Sequence, residues 1–206
     1  MIALNALDQY VMLVCSFFWG LQGTPPSNSQ KTTCEDVVIV SLNSGEDPTL
    51  MLSIAWNESR FIPNRKSKAG AIGPMQVMAK YWCPKGNSQG CDLIQAGFKA
   101  WQTYFEMEKG NGKQALCRYS SGKRCSASVG GRRYARKVLR TRENLVTSMF
   151  SSWHDRMTQE SCARCPECCT QSTFVDEYGV ERPCDWLPDQ STKQEYDCWD
   201  PSREVK

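Results

Sequence analysis

The chain of 206 residues has 25 Lys and Arg, 22 Asp and Glu, 12 Cys and a single His. One histidine gives no support to a histidine-based catalytic triad or a zinc-hydrolase site, and twelve cysteines are too many for an ordinary cytosolic enzyme. The charge is split. Residues 1–153 hold 19 basic and 10 acidic residues, a net of +9, whereas residues 154–206 hold 6 and 12, a net of −6. A basic body with an acidic tail indicates two units with different roles.

The N-terminal region begins with an apolar run over residues 11–19, which is too short to span a bilayer. It suits either the core of an export signal or a retained segment packed on the body, a partner or a membrane surface. Asp8 precedes it and no basic residue does, which favours the retained segment. Residues 23–31 have the composition of a linker. The globular domain is expected to begin near Thr33, as the cap of a helix that ends near Gly45.

Capping residues and apolar spacing predict further helices. Asp47 caps one whose apolar residues would bury one face, and Asp92 caps another that runs from Leu93 to about Lys109. A short helix over residues 113–119 and a long one over residues 132–157 follow. The long helix carries an apolar stripe (Tyr134, Val138, Leu145, Met149, Trp153) and many basic residues in its first half. No alternating pattern is long enough to predict a strand, so the fold class is mainly α.

The cysteines fall into two groups. Cys83 with Cys91 and Cys117 with Cys125 would each close a short loop, although spacing alone does not fix connectivity. After Met157 the apolar content is too low for an independent core, so cross-links or a metal would have to hold this tail. Disulfides are favoured over zinc and over free thiols there, for Cys162, Cys165, Cys168, Cys169, Cys184 and Cys198.

Glu58 is the candidate acid and base. It lies one helical step beyond Ile54 and Ala55, at the edge of the core, where partial desolvation raises the pKa of a carboxyl group. A glutamic acid with a raised pKa is a natural proton donor to the leaving oxygen of a glycosidic bond. No second carboxylate can be placed opposite it from the sequence, because Asp47 and Asp92 lie at the N-termini of helices.

The sequence after Glu58 reads Glu-Ser-Arg-Phe-Ile-Pro and then, from Ser67, Ser-Lys-Ala-Gly-Ala-Ile-Gly-Pro-Met-Gln. This resembles the first motif of the soluble lytic transglycosylase (SLT) domain, a lysozyme-like fold that cleaves peptidoglycan. Three further segments are similar to the family over residues 34–139: Leu93-Ile94-Gln95-Ala96-Gly97, Ala115 to Gly122, and Tyr134 with Val138. Leu93 and Ser120 replace the usual Asn of their motifs, and Pro74 replaces the usual Leu.

The resemblance implies roles for these residues. Glu58 would protonate the glycosidic bond and then take the proton of the C6 hydroxyl of N-acetylmuramic acid, giving a 1,6-anhydro product with no cofactor. Ser67, Met75, Gln76, Tyr119 and Tyr134 would bind substrate, with Ser67 placed to hydrogen-bond Glu58 or the acetamido group. Each tyrosine could instead be a core aromatic residue.

The sequence therefore predicts an apolar segment and linker (1–32), an SLT-like domain (33–157) and a Cys-rich, irregular acidic tail (158–206). We expect a peptidoglycan lytic transglycosylase that opens the cell wall locally, carried in a phage virion for genome ejection or exported to an envelope-spanning machine. It would have protein partners there and contact a membrane surface through residues 10–19. The alternatives are a hydrolytic lysozyme, a structural virion or assembly protein with an inactive fold and, more weakly, a nucleic-acid binder resting on the Arg-rich helix.

Overall fold

The computed structural model describes residues 6–23, 25–164, 173–175 and 181–183, and beyond residue 152 it describes the backbone only. The helices are α1 (Ala6–Gln22), α2 (Asn28–Ser44), α3 (Pro48–Ser59), α4 (Ala79–Trp82), α5 (Leu93–Met107), α6 (Gly112–Ser121) and α7 (Val129–Arg164). A 3₁₀ helix covers Cys125–Ala127, and two short strands are β1 (Thr173–Val175) and β2 (Glu181–Pro183). The predicted mainly α fold class is confirmed.

Helix α2 begins earlier than the sequence analysis predicts. Ser27 caps it in a capping box, in which the Ser27 side chain accepts from the Gln30 amide and the Gln30 side chain accepts from the Ser27 amide. Thr33 lies inside the helix, where its hydroxyl donates to the Ser29 carbonyl. The predicted linker over residues 23–31 therefore extends too far, because Ser, Asn and Gln there form a helix start. The helix ends at Gly45 (φ 69°), as predicted.

The predicted caps of α3 and α5 are confirmed. The Asp47 side chain accepts from the Thr49 amide, with Pro48 in the first helical position. The Asp92 side chain accepts from the amides of Ile94 and Gln95. Both helices then bury apolar faces, and their largest fully buried side chains are Met51, Leu52, Ile54, Phe98 and Trp101.

Helix α1 packs on the body of the fold. Val14 and Phe18 are fully buried, and the Phe18 and Trp19 rings make edge contacts with the rings of Trp56 and Phe61. A disulfide between Cys15 and Cys34, not anticipated from the sequence, ties α1 to α2. One side of the apolar run over residues 11–19 is thus part of the core, whereas Met12 and Leu13 on the other side are exposed. No helix within the described segments combines the length and apolarity needed to cross a bilayer.

The contacts divide the chain into two units, residues 1–149 and 150–206. In the first unit, α7 buries Val138 and Leu145 of its predicted apolar stripe, and also Ala135, which the stripe did not include. In the second unit, β1 and β2 pair antiparallel with Phe174 opposite Arg182. These strands were not predicted, because three residues are too few for an alternating pattern to be visible.

Several predictions fall on residues that the structure does not describe. They concern the side chains of Trp153 and Cys162, and the whole of Cys165, Cys168, Cys169, Cys184 and Cys198. Zinc or disulfide bonding in the tail therefore stays a prediction, as do the domain boundaries at residues 32 and 157.

Candidate active site

Glu58 is the penultimate residue of α3 and is half-buried. The helix ends directly after it, because Arg60 (φ 60°) and Phe61 (φ 58°) adopt left-handed backbone conformations. These conformations are costly for residues with a side chain, so surrounding contacts must hold them. The Arg60 guanidinium lies 4.3 Å from the centroid of the Trp56 ring, and the Phe61 side chain is fully buried. The motif residues after Glu58 thus fix where the helix stops and the following loop begins.

The loop after α3 folds back on itself through short backbone bridges between Lys66 and Ile72 and between Ile72 and Val77. The Ser67 Oγ accepts the Ala71 amide hydrogen at 3.0 Å, and the exposed Ser67 side chain forms this turn rather than a hydrogen bond to Glu58. Gln76 donates through Nε2 to the carbonyls of Arg65 and Gly73, both at 3.0 Å. Ser67 and Gln76 therefore shape the loop.

Gly97 brings this loop against α5. A Cβ on Gly97 would lie 2.3 Å from the Met75 Cβ, which no real pair of side chains tolerates. The Met75 side chain is fully buried in the core, which does not fit the substrate-binding role that the resemblance implies. Its carbonyl oxygen instead accepts a hydrogen bond of 2.7 Å from the Tyr119 hydroxyl. The Met-Gln and Ile-x-x-Gly motifs meet here as packing partners.

The replacement of the usual Asn by Leu93 also has a structural explanation. Gly73 has a φ of +79°, and a Cβ there would lie 2.7 Å from the Leu93 Cδ1. Leu93 therefore makes an apolar contact with the loop where the motif elsewhere has a polar residue. Ser120, which replaces the other Asn, is exposed at the rim of the groove described below.

Tyr119 and Tyr134 both lie near Glu58. Burial raises the pKa of each phenol well above its ordinary value, and the negative charge of Glu58 raises it further. The Tyr119 hydroxyl is committed to the Met75 carbonyl. The Tyr134 hydroxyl is buried and has no partner of normal hydrogen-bond geometry in the described part of the chain, although it is close enough to interact with the Glu58 carboxyl. It is therefore placed to stabilise the Glu58 carboxylate.

Burial raises the pKa of Glu58 from 4.5 to about 7, and the Tyr134 hydroxyl and the Lys137 charge oppose this by stabilising the carboxylate. The side chain is thus poised between its two protonation states near neutral pH. Lys137 is a site residue that the sequence analysis missed. Its position one turn after Tyr134 on a predicted helix was the available signal.

Two contacts hold α7 against α3 and so bring Tyr134 and Lys137 to Glu58. The Arg142 Nε donates to the Asp47 Oδ2 at 2.7 Å. Asn57, which immediately precedes Glu58 in the chain, donates through its side-chain amide to the Thr141 Oγ1 at 3.1 Å. Asp47 therefore caps α3 and pairs with α7, which leaves it with a structural role.

An open groove of about 240 Å³ leads away from Tyr119. Aromatic rings follow one another along it, with centroids 5.6 Å apart between Trp82 and Tyr104 and 6.3 Å apart between Tyr104 and Tyr119. Gln76, Tyr81 and Ser120 also line it. Aromatic rings of this kind pack against the apolar faces of sugar rings while their hydroxyls meet polar groups. Trp82 and Tyr104 were not predicted, because no local pattern distinguishes them from core residues.

Two disulfides brace the groove region. Cys83 pairs with Cys91 directly after α4, and Cys117 pairs with Cys125 between α6 and the 3₁₀ helix. Both loops that the sequence analysis expected to be closed are closed. All six cysteines whose side chains are described are in disulfides, which is typical of proteins from oxidising compartments.

Comparison with known families agrees with this geometry. The family model described as "Transglycosylase SLT domain" matches residues 39–139, a range that contains Glu58, both tyrosines and Lys137. Comparison with curated proteins and with solved structures gives no significant match. The range ends within α7, at the residue after buried Val138. Residues 39–139 therefore form a transglycosylase SLT domain of the lysozyme-like superfamily.

Proposed function

We propose that the protein is a peptidoglycan lytic transglycosylase that cleaves the β-1,4 bond between N-acetylmuramic acid and N-acetylglucosamine. The observation that carries the proposal is Glu58. It is half-buried and close enough to act on Tyr119, which lines a groove of aromatic rings. Its pKa is raised to about 7, and two groups able to stabilise its anion act on it. The SLT domain makes peptidoglycan the expected substrate.

The proposed reaction has two proton transfers through one carboxyl group. Protonated Glu58 first donates to the glycosidic oxygen, and positive charge develops on the muramic acid ring as the bond breaks. The resulting carboxylate is stabilised by the Tyr134 hydroxyl and the Lys137 charge. It then removes the proton of the C6 hydroxyl of the same sugar, whose oxygen attacks C1. The product is a 1,6-anhydro ring, and Glu58 regains its proton without consuming water.

The surroundings of Glu58 favour this route over hydrolysis. A hydrolytic glycosidase normally uses a second carboxylate across the cleft. Among the described residues, the groups that shift the pKa of Glu58 are Tyr134 and Lys137, with no acidic residue among them. Asp47 is bonded to Arg142 and Thr49, and Asp92 caps α5. The alternatives are a hydrolytic lysozyme and an inactive structural protein.

The proposed site of action is the cell wall. Three disulfides in residues 1–149 support a compartment outside the reducing cytoplasm. The proposed role is to open the wall locally, either from a phage particle during genome ejection or as an exported part of an envelope-spanning machine. Mass spectrometry of purified virions from the producing strain would separate these two cases.

The activity is tested by digesting purified peptidoglycan and identifying the muropeptides by mass spectrometry. Wild type should release anhydro-muropeptides, and Glu58→Gln should release none. Glu106→Gln, at an exposed position on α5, is the matched control and should behave as wild type. Reducing-end products would establish a hydrolase, and no release by wild type under non-reducing conditions would favour the structural protein.

A further inference from the structure

The first half of α7 presents four cationic side chains on one face. Arg133, Arg136, Lys137 and Arg140 are spaced so that they lie on the same side of the helix, and all four are exposed. They line a concave surface together. The intervening Ala135 and Val138 are buried and hold the opposite side of the helix in the core. This set is called the basic face below.

The basic face is not neutralised within the described residues. The ion pairs there join Arg118 and Arg124 to Glu108, and Arg142 to Asp47, and none involves the basic face. Cations three and four residues apart on a helix repel one another, which costs stability. Its neighbours Arg132 and Arg142 are bonded to the Cys125 carbonyl and to Asp47, so they have structural roles that the basic face lacks.

The basic face adjoins the reacting centre. Lys137 belongs to it and also acts on Glu58, and Tyr134 lies one turn before Lys137 on the same helix. Seven residues separate Arg133 from Arg140, which is about 10 Å along a helix. An extended peptide covers that distance with about three residues.

We propose that the basic face binds the carboxylates of the stem peptide carried by the muramic acid at the cleavage site. This inference rests on the proposed function and deepens it. The stem peptide is attached to the sugar whose bond Glu58 would protonate, so its first residues must leave the reacting centre within a few ångströms. Their free carboxylates complement a row of cations that form no ion pair within the described residues. A peptidoglycan strand whose stem peptides keep their free carboxylates is thus the preferred substrate.

The test compares soluble glycan strands that carry stem peptides with the same strands stripped by an amidase. The variant is Arg136→Glu with Arg140→Glu, and the control is Lys99→Glu with Lys113→Glu, which makes the same charge change at exposed positions on α5 and α6. We expect the variant to leave KM unchanged on stripped strands. On peptide-bearing strands it should raise KM about tenfold, because two cations that attract the stem carboxylates are replaced by anions that repel them. Converting the stem carboxylates to amides should have the same effect on wild type.

Equal losses on both kinds of strand, or no loss on either, would overturn the proposal. So would a control as impaired as the variant. If the basic face instead binds nucleic acid, wild type will bind duplex DNA with a steep salt dependence that the variant loses, while peptidoglycan cleavage is unchanged. The binding of both strand preparations to the inactive Glu58→Gln protein is measured as well. Tighter binding of the peptide-bearing strands supports the stem-peptide site even if wild type cleaves neither preparation. In that case it is the proposed activity that has failed.

Discussion

Replacing Glu58 by Gln should make the protein more stable at alkaline pH. Burial raises the pKa of Glu58 to about 7 in the folded protein, from 4.5 when it is exposed to water. The protonated form of Glu58 is therefore favoured in the folded state. Its stabilising contribution to the free energy of unfolding is fully present below about pH 4.5 and is lost as the pH rises to about 7. Above pH 7 the buried carboxylate destabilises the fold by about 3 kcal/mol, at 1.36 kcal/mol for each pH unit between the two values. Glutamine carries no charge, so it avoids this cost.

The assay is urea unfolding followed by tryptophan fluorescence under non-reducing conditions, at pH 4 and pH 8. The difference in free energy of unfolding between Glu58→Gln and wild type should be close to zero at the lower pH and about 3 kcal/mol in favour of the variant at the higher pH. The exposed Glu106→Gln control should change stability by less than about 0.5 kcal/mol at either pH. A variant with the same stability difference at both values, or one destabilised at pH 8, would refute the argument that Glu58 is a desolvated acid.

Three further substitutions test a packing contact, a disulfide and a hydroxyl group of the SLT domain and the helix attached to it. Gly97→Ala should lower the free energy of unfolding by about 2 kcal/mol or more, because its Cβ would strike Met75. Cys15→Ser should lower it by about 3 kcal/mol by releasing α1, as urea unfolding would measure. Tyr134→Phe should leave folding intact, since its hydroxyl makes no hydrogen bond of normal geometry in the described part of the chain. It should nevertheless raise the pKa of Glu58, because the hydroxyl stabilises the carboxylate, and reduce cleavage several-fold. The shifted pKa would appear in the pH dependence of stability and of rate.

Matched controls decide how these results are interpreted. Gly130 lies on α7, and a Cβ there would meet open space. Gly130→Ala should therefore leave the free energy of unfolding unchanged or raise it by up to about 1 kcal/mol. Cys83→Ser opens a shorter loop, of separation 8 rather than 19, and should cost less than Cys15→Ser. A stable Gly97→Ala protein would contradict the close approach of loop and helix. A Tyr134→Phe protein of unchanged activity would remove the hydroxyl from the proposed mechanism.

The parts of the site that the sequence predicted are those with local signals. Asp47 and Asp92 could be recognised as caps because a cap is defined by a few adjacent residues. Glu58 could be recognised because helical spacing carries it to the edge of the core and because it begins the motif that resembles the SLT domain. The roles of Ser67 and Met75 were less predictable. Both belong to the motif, yet the structure uses one for a turn and the other for the core.

Contacts between distant segments account for what was missed. Cys15 pairs with Cys34 because two helices pack together, and spacing does not determine which cysteines meet. Lys137 acts on Glu58 only because α7 is held on α3 by Arg142 with Asp47 and by the amide of Asn57. Pairings of this kind arise from the tertiary fold, which a pattern within one helix does not specify.

The measurement to make first is the fate of water in the reaction. Peptidoglycan is digested by wild type in water enriched in heavy oxygen, and the newly formed muramic acid ends are analysed by mass spectrometry. If Glu58 is the single acid and base and the C6 hydroxyl is the nucleophile, those ends will be anhydro sugars that contain no heavy oxygen. Heavy oxygen at the anomeric position would contradict this mechanism and would require a hydrolytic route with a second group to activate water.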